Sequence, residues 1–143
     1  MKKQNILVIC TGNTCRSPLA EAYLKKYGAD RYNVKSAGVS ADHGQVMSSG
    51  SKKILEKEGI KVDHKSQPLS DELIHWADKV LTMSASHRKI VEEGYPHQSV
   101  STLQEAAGKE GHDIEDPFGG NDEDYKQAAR QIKTAIKDFL RQT

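Results

Sequence analysis

The chain has 143 residues, with 21 lysines and arginines against 20 aspartates and glutamates. That length suffices for one domain burying roughly two-thirds of the surface its unfolded form exposes. The charge balance excludes a global field that would draw the protein onto nucleic acid or an anionic membrane, so any anion affinity must be local. Two cysteines are too few for a disulfide scaffold, and the apolar run Ile6 to Cys10 is too short for a signal-peptide core or a membrane span. A cytoplasmic protein with reduced thiols is expected.

Ile6-Leu7-Val8-Ile9 is a continuous apolar run, as expected of a central parallel strand covered on both faces. After the turn CTGNTCRS at 10–17, a helix is expected with Ser17 as N-cap and Pro18 at its first position. It would bury Leu19, Ala20, Tyr23, Leu24 and Tyr27 and stop at Gly28. Asn33 to Ala37 reads as a second strand, and Met47, Ile54 and Leu55 suggest a helix ending at Gly59. Ser70 is placed to cap a short helix through Leu73, Ile74 and Ala77. KVLTM at 79–83 is a third strand, Ile90 and Val91 mark the next helix, and SVSTL at 99–103 is a fourth strand. The closing amphipathic helix displays Tyr125, Ala128, Ala129, Ile132, Ala135, Ile136, Phe139 and Leu140.

No linker, repeat or low-complexity stretch divides this pattern, so residues 1–143 read as a single domain. The alternation predicts an α/β fold of three layers, a central four-stranded parallel sheet with helices on both faces. Ligands in such sheets bind at the carboxyl ends of the strands, where the opening turn lies.

Both cysteines sit in that turn. A glycine-containing loop between a buried strand and a helix N-terminus points backbone N–H groups into a concavity, and the helix dipole adds partial positive charge. The loop therefore reads as a phosphate-binding loop formed by Thr11, Gly12, Asn13, Thr14 and Cys15. Gly12 permits close backbone approach, Asn13 can fix the loop through its side chain, and Arg16 offers a planar fork of donors to phosphate oxygens. The ATP-type loop fits poorly, because no lysine follows a second glycine. Cys10 is aimed into the cradle instead, where dipoles and Arg16 favour its thiolate and Ser17 can donate to the sulfur. Attack on a bound phosphate would give a phosphocysteine, with the equatorial oxygens held by loop N–H groups and Arg16.

A leaving group then needs a proton. EDPFGG at 115–120 lies in the longest unpatterned loop, and Pro117 restricts Asp116 to an extended conformation. Asp116 would serve as general acid in the first step and general base in the second. Buried structural roles compete with each reading: two cysteines alone suggest small core hydrophobes, and Asp-Pro alone suggests a turn. The combination favours chemistry. The six histidines show no metal-ligand spacing, and Trp76 and Tyr95 read as packing residues, so no metal or cofactor is expected. Eight acids and one lysine lie between Glu105 and Asp124; Asp122, Glu123 and Asp124 complement the last helix, and the rest are candidates to rim the site.

The pattern C-x-G-N-x-C-R-S after the first strand, with Asp-Pro in a late loop, resembles the low-molecular-weight protein tyrosine phosphatases over essentially the whole chain. The resemblance implies Cys10 as nucleophile, Arg16 as phosphate clamp, Asp116 as general acid and base, and Asn13 and Ser17 as loop-shaping and thiolate-stabilising partners. It also implies that Cys15 can form a reversible disulfide with Cys10 that guards against over-oxidation. Two positions depart from the tyrosine-specific pattern: Thr14 replaces an apolar residue that would pack on a phenyl ring, and Phe118 stands where tyrosine is frequent. Both resemble the bacterial protein-arginine phosphatase subgroup. The expectation is a monomeric phosphatase acting on phosphoarginine in proteins, with phosphotyrosine as the alternative. Arsenate reduction is disfavoured because no cysteine follows Cys15, and a non-catalytic phosphate-binding module because both Cys10 and Asp116 are present.

Overall fold

In the computed structural model, residues 2–109 and 113–142 are described. Glu110, one of the acids in the late loop, lies outside them. Strand β1 (Gln4–Cys10) leads into helix α1 (Arg16–Gly28) and strand β2 (Tyr32–Gly38). Helices α2 (Ser49–Lys57) and α3 (Asp71–Trp76) precede strand β3 (Lys79–Thr82), helix α4 (Ala85–Gly94) and strand β4 (Val100–Thr102). A one-turn helix α5 (Leu103–Ala106) and the long helix α6 (Asp122–Gln142) complete the chain. The strands form one four-stranded sheet in the order β2-β1-β3-β4, and every pairing is parallel.

Alternation along β1 assigns its two faces. Ile6, Val8 and Cys10 enter a core with Leu19, Tyr23 and Leu24 of α1 and Ile132, Ile136 and Phe139 of α6. Leu7 and Ile9 enter the other, with Leu73 and Ile74 of α3 and Val91 of α4. From Ile6 onward β1 is covered on both faces, which is why Ile6–Cys10 is an unbroken apolar run after the exposed Gln4 and half-buried Asn5. The chain leaves β1 toward β2 on one side and later reaches β3 on the other. The crevice at the carboxyl end of β1 is thus the point where the strand order reverses, the usual ligand position in such sheets.

Several local expectations need correction. Helix α1 starts at Arg16 with Cys15 in the N-cap position, so Ser17 does not cap and Pro18 is its third residue. Proline is tolerated there because the first-turn N–H groups lack helical partners in any case. Gly28 does not stop the helix but belongs to it, where a Cβ would come within 3.1 Å of Leu140 Cδ2 and 3.3 Å of Tyr32 Cδ2. Met47 precedes α2 and packs in the core from the loop. Gly59 does follow α2 in the left-handed region, at φ 73°. Met83 lies just past β3, and Leu103 leaves β4 to open α5, where Thr102 and Glu105 form a capping box. Ser70 and Ser84 both act as N-caps. Val91 is buried, whereas Ile90 faces solvent.

Candidate active site

The loop between β1 and α1 is held from outside by its carbonyls. Those of Cys10 and Thr11 accept from the amides of Val39 and Ser40, at 3.0 and 2.9 Å, and that of Thr14 accepts from Ser48 N–H at 2.9 Å. The Asn13 carbonyl accepts from His64 Nε2 at 2.6 Å, and the Cys15 carbonyl from the Ser51 hydroxyl at 3.1 Å. A carbonyl only accepts, so Nε2 of His64 is the donor in this contact. Five loop carbonyls are thus engaged from outside, as an anion cradle requires if its N–H groups are to serve a ligand.

Asn13 makes the turn possible. At φ 58° it occupies the left-handed region, which asparagine tolerates better than most residues. Its buried amide is fully engaged: Nδ2 donates to Ser17 Oγ at 2.8 Å and Ser36 Oγ at 2.9 Å, while Oδ1 accepts from Gln67 N–H at 2.9 Å. Ser36 in turn donates to Glu21. Gly12, in contrast, is not demanded by the protein itself, since a Cβ there would meet nothing closer than Thr14 Oγ1 at 3.8 Å.

Cys10 ends β1 with its Sγ 2.9 Å from Ser17 Oγ in the first turn of α1. Ser17 Oγ also accepts from Asn13, which leaves its own proton available to the sulfur. Arg16 is buried at the mouth of the loop, where Nη1 donates to the Ile114 carbonyl at 2.9 Å. Its Nη2 lies 3.7 Å from Asp116 Oδ2. Ile114 is itself buried and donates its N–H to the Met83 carbonyl just past β3, at 2.9 Å. The late loop is therefore pinned to the sheet edge immediately before Asp116. The Asp116 side chain is 54% exposed, and its Oδ1 accepts from Phe118 N–H at 3.1 Å, closing a local turn. Phe118 projects into solvent at 78% exposure. The half-buried Thr14 hydroxyl finds no partner among the described residues closer than Cys15 Sγ at 3.8 Å.

A cysteine sulfur beside a serine hydroxyl, an arginine at the mouth of the loop and a carboxyl near that arginine are groups that phosphoryl-transfer chemistry can use. A family model described as low molecular weight phosphotyrosine protein phosphatase matches residues 5–143. The chain belongs to that family. It is 42% identical over 134 residues to a protein-arginine-phosphatase of Geobacillus stearothermophilus, covering 92% of this chain and 90% of that protein. Among solved structures, the YwlE arginine phosphatase from Geobacillus stearothermophilus has a TM-score of 0.92 at 40% identity, covering 97% of this chain and 92% of that one. A low molecular weight protein tyrosine phosphatase from T. tengcongensis has a TM-score of 0.91 at 37% identity, covering 99% of this chain and 100% of that one.

Around its loop this family member uses residues that no sequence motif singled out. Gly38 is the tightest: a Cβ there would fall 2.4 Å from the Thr11 carbonyl oxygen and 2.9 Å from Asn13 N. Ser36, His64 and Gln67 hold Asn13, and the Tyr125 hydroxyl lies 3.6 Å from Cys15 Sγ. Burial, then the contact with Cys15, raises the Tyr125 phenol above its ordinary pKa. These residues come from three separate segments, β2, the stretch between α2 and α3, and α6, so only the fold brings them together. Their signal in sequence is slight, a polar residue and a glycine closing an otherwise apolar strand end. Of the remaining late-loop acids, Asp113 accepts from Ala85 N–H at 2.9 Å. Asp122, Glu123 and Asp124 lie in the first turn of α6 as expected. Trp76 packs against the second core under Lys35, and Tyr95 donates to Asp71.

Proposed function

We propose that this phosphatase hydrolyses phosphoarginine in proteins through a phosphocysteine on Cys10. The observation that carries the substrate assignment is the pairing of two residues, a Thr14 hydroxyl in the loop with no partner closer than 3.8 Å among the described residues and a solvent-facing Phe118 two residues after Asp116. A planar, multiply donating guanidino group suits that rim: it can hydrogen-bond the threonine and stack on the phenyl face. The Geobacillus stearothermophilus relative bears the name protein-arginine-phosphatase, which supports the same reading.

In the first step the Cys10 thiolate attacks phosphorus and the P–N bond breaks, while Asp116 gives its proton to the departing guanidino nitrogen. Loop amides and Arg16 hold the equatorial oxygens as charge moves onto them. In the second step Asp116 takes a proton from water as the water attacks phosphorus, releasing phosphate and restoring the thiolate. Thr11, Gly12, Asn13, Thr14 and Cys15 supply the cradle, and Ser17 stabilises the sulfur as nucleophile and as leaving group.

The alternative, phosphotyrosine by the same two steps, draws on the tyrosine-phosphatase neighbour of nearly equal structural similarity. Turnover of phosphoarginine and phosphotyrosine peptides by wild type and Thr14→Ile separates the two. The arginine reading predicts a wild-type preference for phosphoarginine that moves toward phosphotyrosine in the variant. A wild-type preference for phosphotyrosine, or a ratio untouched by the substitution, would sink it.

Cys15 acts as the redox partner of Cys10 in this reading, with both thiols free and buried in the resting protein. Mild peroxide should yield an intramolecular disulfide; irreversible Cys10 oxides beside an intact Cys15 thiol would contradict the role. We further read the chain as one domain over residues 1–143, monomeric and cytoplasmic. None of the described helices is long and apolar enough to cross a membrane. Sedimentation at rising concentration and cell fractionation check these assignments.

A further inference from the structure

The start of α4 contributes a side chain that the mechanism above does not use. His87 lies in the first turn of α4, 4% exposed, and bridges two elements. Its Nδ1 is 2.9 Å from Ser84 Oγ and its Nε2 is 2.9 Å from Thr11 Oγ1. Thr11 is the first residue of the phosphate loop, directly after Cys10. Its backbone is held by Ser40 and its side chain by His87, so the loop is gripped at its first corner from two sides.

The imidazole stands on a fixed base. Ser84 accepts from the His87 amide at 3.4 Å as N-cap of α4, and its carbonyl accepts from Thr82 Oγ1 at 2.9 Å, at the end of β3. With one N–H, the ring is satisfied at both nitrogens, because each faces a hydroxyl able to donate or accept. Its surroundings keep it in that state. Burial, then the charge of Arg16, lowers His87 from the usual 6.5 to about 4, against an opposite pull from Asp116 and Asp113. An imidazolium here would set a second cation beside Arg16 and compete with it for Asp116.

We propose that His87 is a positioning residue for the phosphate loop, a neutral strut that ties Thr11 to the end of β3 and shapes the cradle before phosphate arrives. This rests on the phosphatase reading only in taking the loop to bind phosphate. His87 contacts no reacting atom; it acts through Thr11.

The test is a double-mutant cycle of Thr11→Val and His87→Ala, with His87→Gln beside it. Two readouts require no assumption about substrate: the rate at which iodoacetamide alkylates Cys10, and the protection inorganic phosphate gives. Each single substitution should weaken phosphate protection about fivefold to tenfold, the worth of one hydrogen bond. The double variant should be no weaker than either single one, and His87→Gln, whose amide can still bond a hydroxyl, should recover most of the loss. Undiminished protection in His87→Ala, additive losses in the double variant, or a glutamine as poor as alanine at an unchanged thermal midpoint would each overturn the proposal. Should His87→Ala fail to fold, Thr11→Val decides, since full protection there is equally contrary. Absence of phosphoarginine turnover in the wild type bears on the substrate reading alone, because phosphate protection settles this inference separately.

Discussion

Gly38→Ala tests how tightly the sheet shapes the loop. A Cβ at this position would stand 2.4 Å from the Thr11 carbonyl oxygen, 2.8 Å from Ala41 Cβ and 2.9 Å from Asn13 N, whereas ordinary Cβ contacts begin near 3.4 Å. Relief therefore needs a displacement of about 1 Å between the end of β2 and the loop, the difference between 3.4 and 2.4 Å. The strand cannot supply it alone, since Gly38 pairs with Cys10 in the sheet and donates to the Gln67 carbonyl from the other side. The loop must move, carrying Thr11 and Asn13 with it. A shift of that size in a catalytic loop costs about 100-fold in rate, while overpacking costs about 1–3 kcal/mol of stability, or about 3 °C per kcal/mol for a chain of this size. The assay is kcat/KM on a phosphoarginine peptide and on a small aryl phosphate, alongside the thermal midpoint. Activity should fall on both substrates far more than the fraction folded at assay temperature. A variant that keeps kcat/KM within about twofold of wild type would refute the claim that this contact sets the loop.

The left-handed backbone at Asn13 predicts that Asn13→Gly is more stable than Asn13→Ala by about 1 kcal/mol, because glycine adopts φ 58° without the Cβ penalty. Both should lose activity as Ser17, Ser36 and Gln67 lose their common partner, and equal thermal midpoints would contradict the strain argument. His87 predicts the sign of a pH effect. Its folded value of about 4 lies below the usual 6.5, so the unfolded chain binds the extra proton between these values. Stability contributed here is present above about 6.5 and is lost as pH falls toward 4. Thermal midpoints measured from pH 7 to 4 should therefore drop less steeply in His87→Gln than in wild type, and parallel profiles would show that this histidine is not the titrating group.

The sheet was legible because β1 and the last helix carry their burial in their own spacing: an unbroken apolar run for the strand, a helical stripe for α6. That Asp116 would come to the loop holding Cys10 and Arg16 was legible because that loop follows the first strand and Asp-Pro stands out in a late loop. The start of α1 was misread for a physical reason. Ser17 looks like an N-cap, yet its hydroxyl is turned to Cys10 and Asn13, and the helix begins two residues earlier than such a cap implies, without a side-chain cap. Gly28 likewise looks like a stop signal but is small because Leu140 and Tyr32 pack over it. What could not be read was the support around the loop. Ser36, Gly38, His64, Gln67 and His87 are unremarkable in sequence, and their roles arise only where β2, β3 and the segment after α2 converge on β1.

The central claim is that the Cys10 sulfur takes the phosphoryl group from a guanidino nitrogen with Asp116 as the acid and base. Its most direct test is a rapid denaturing quench of Asp116→Asn mixed with a phosphoarginine peptide, followed by mass spectrometry of the peptide carrying Cys10. The account predicts one phosphoryl group on Cys10, formed more slowly than in wild type because the first step lacks its acid, and retained because the second step lacks its base. Phosphate released at the wild-type rate by Asp116→Asn, or a phosphoryl group found on any residue other than Cys10, would contradict it.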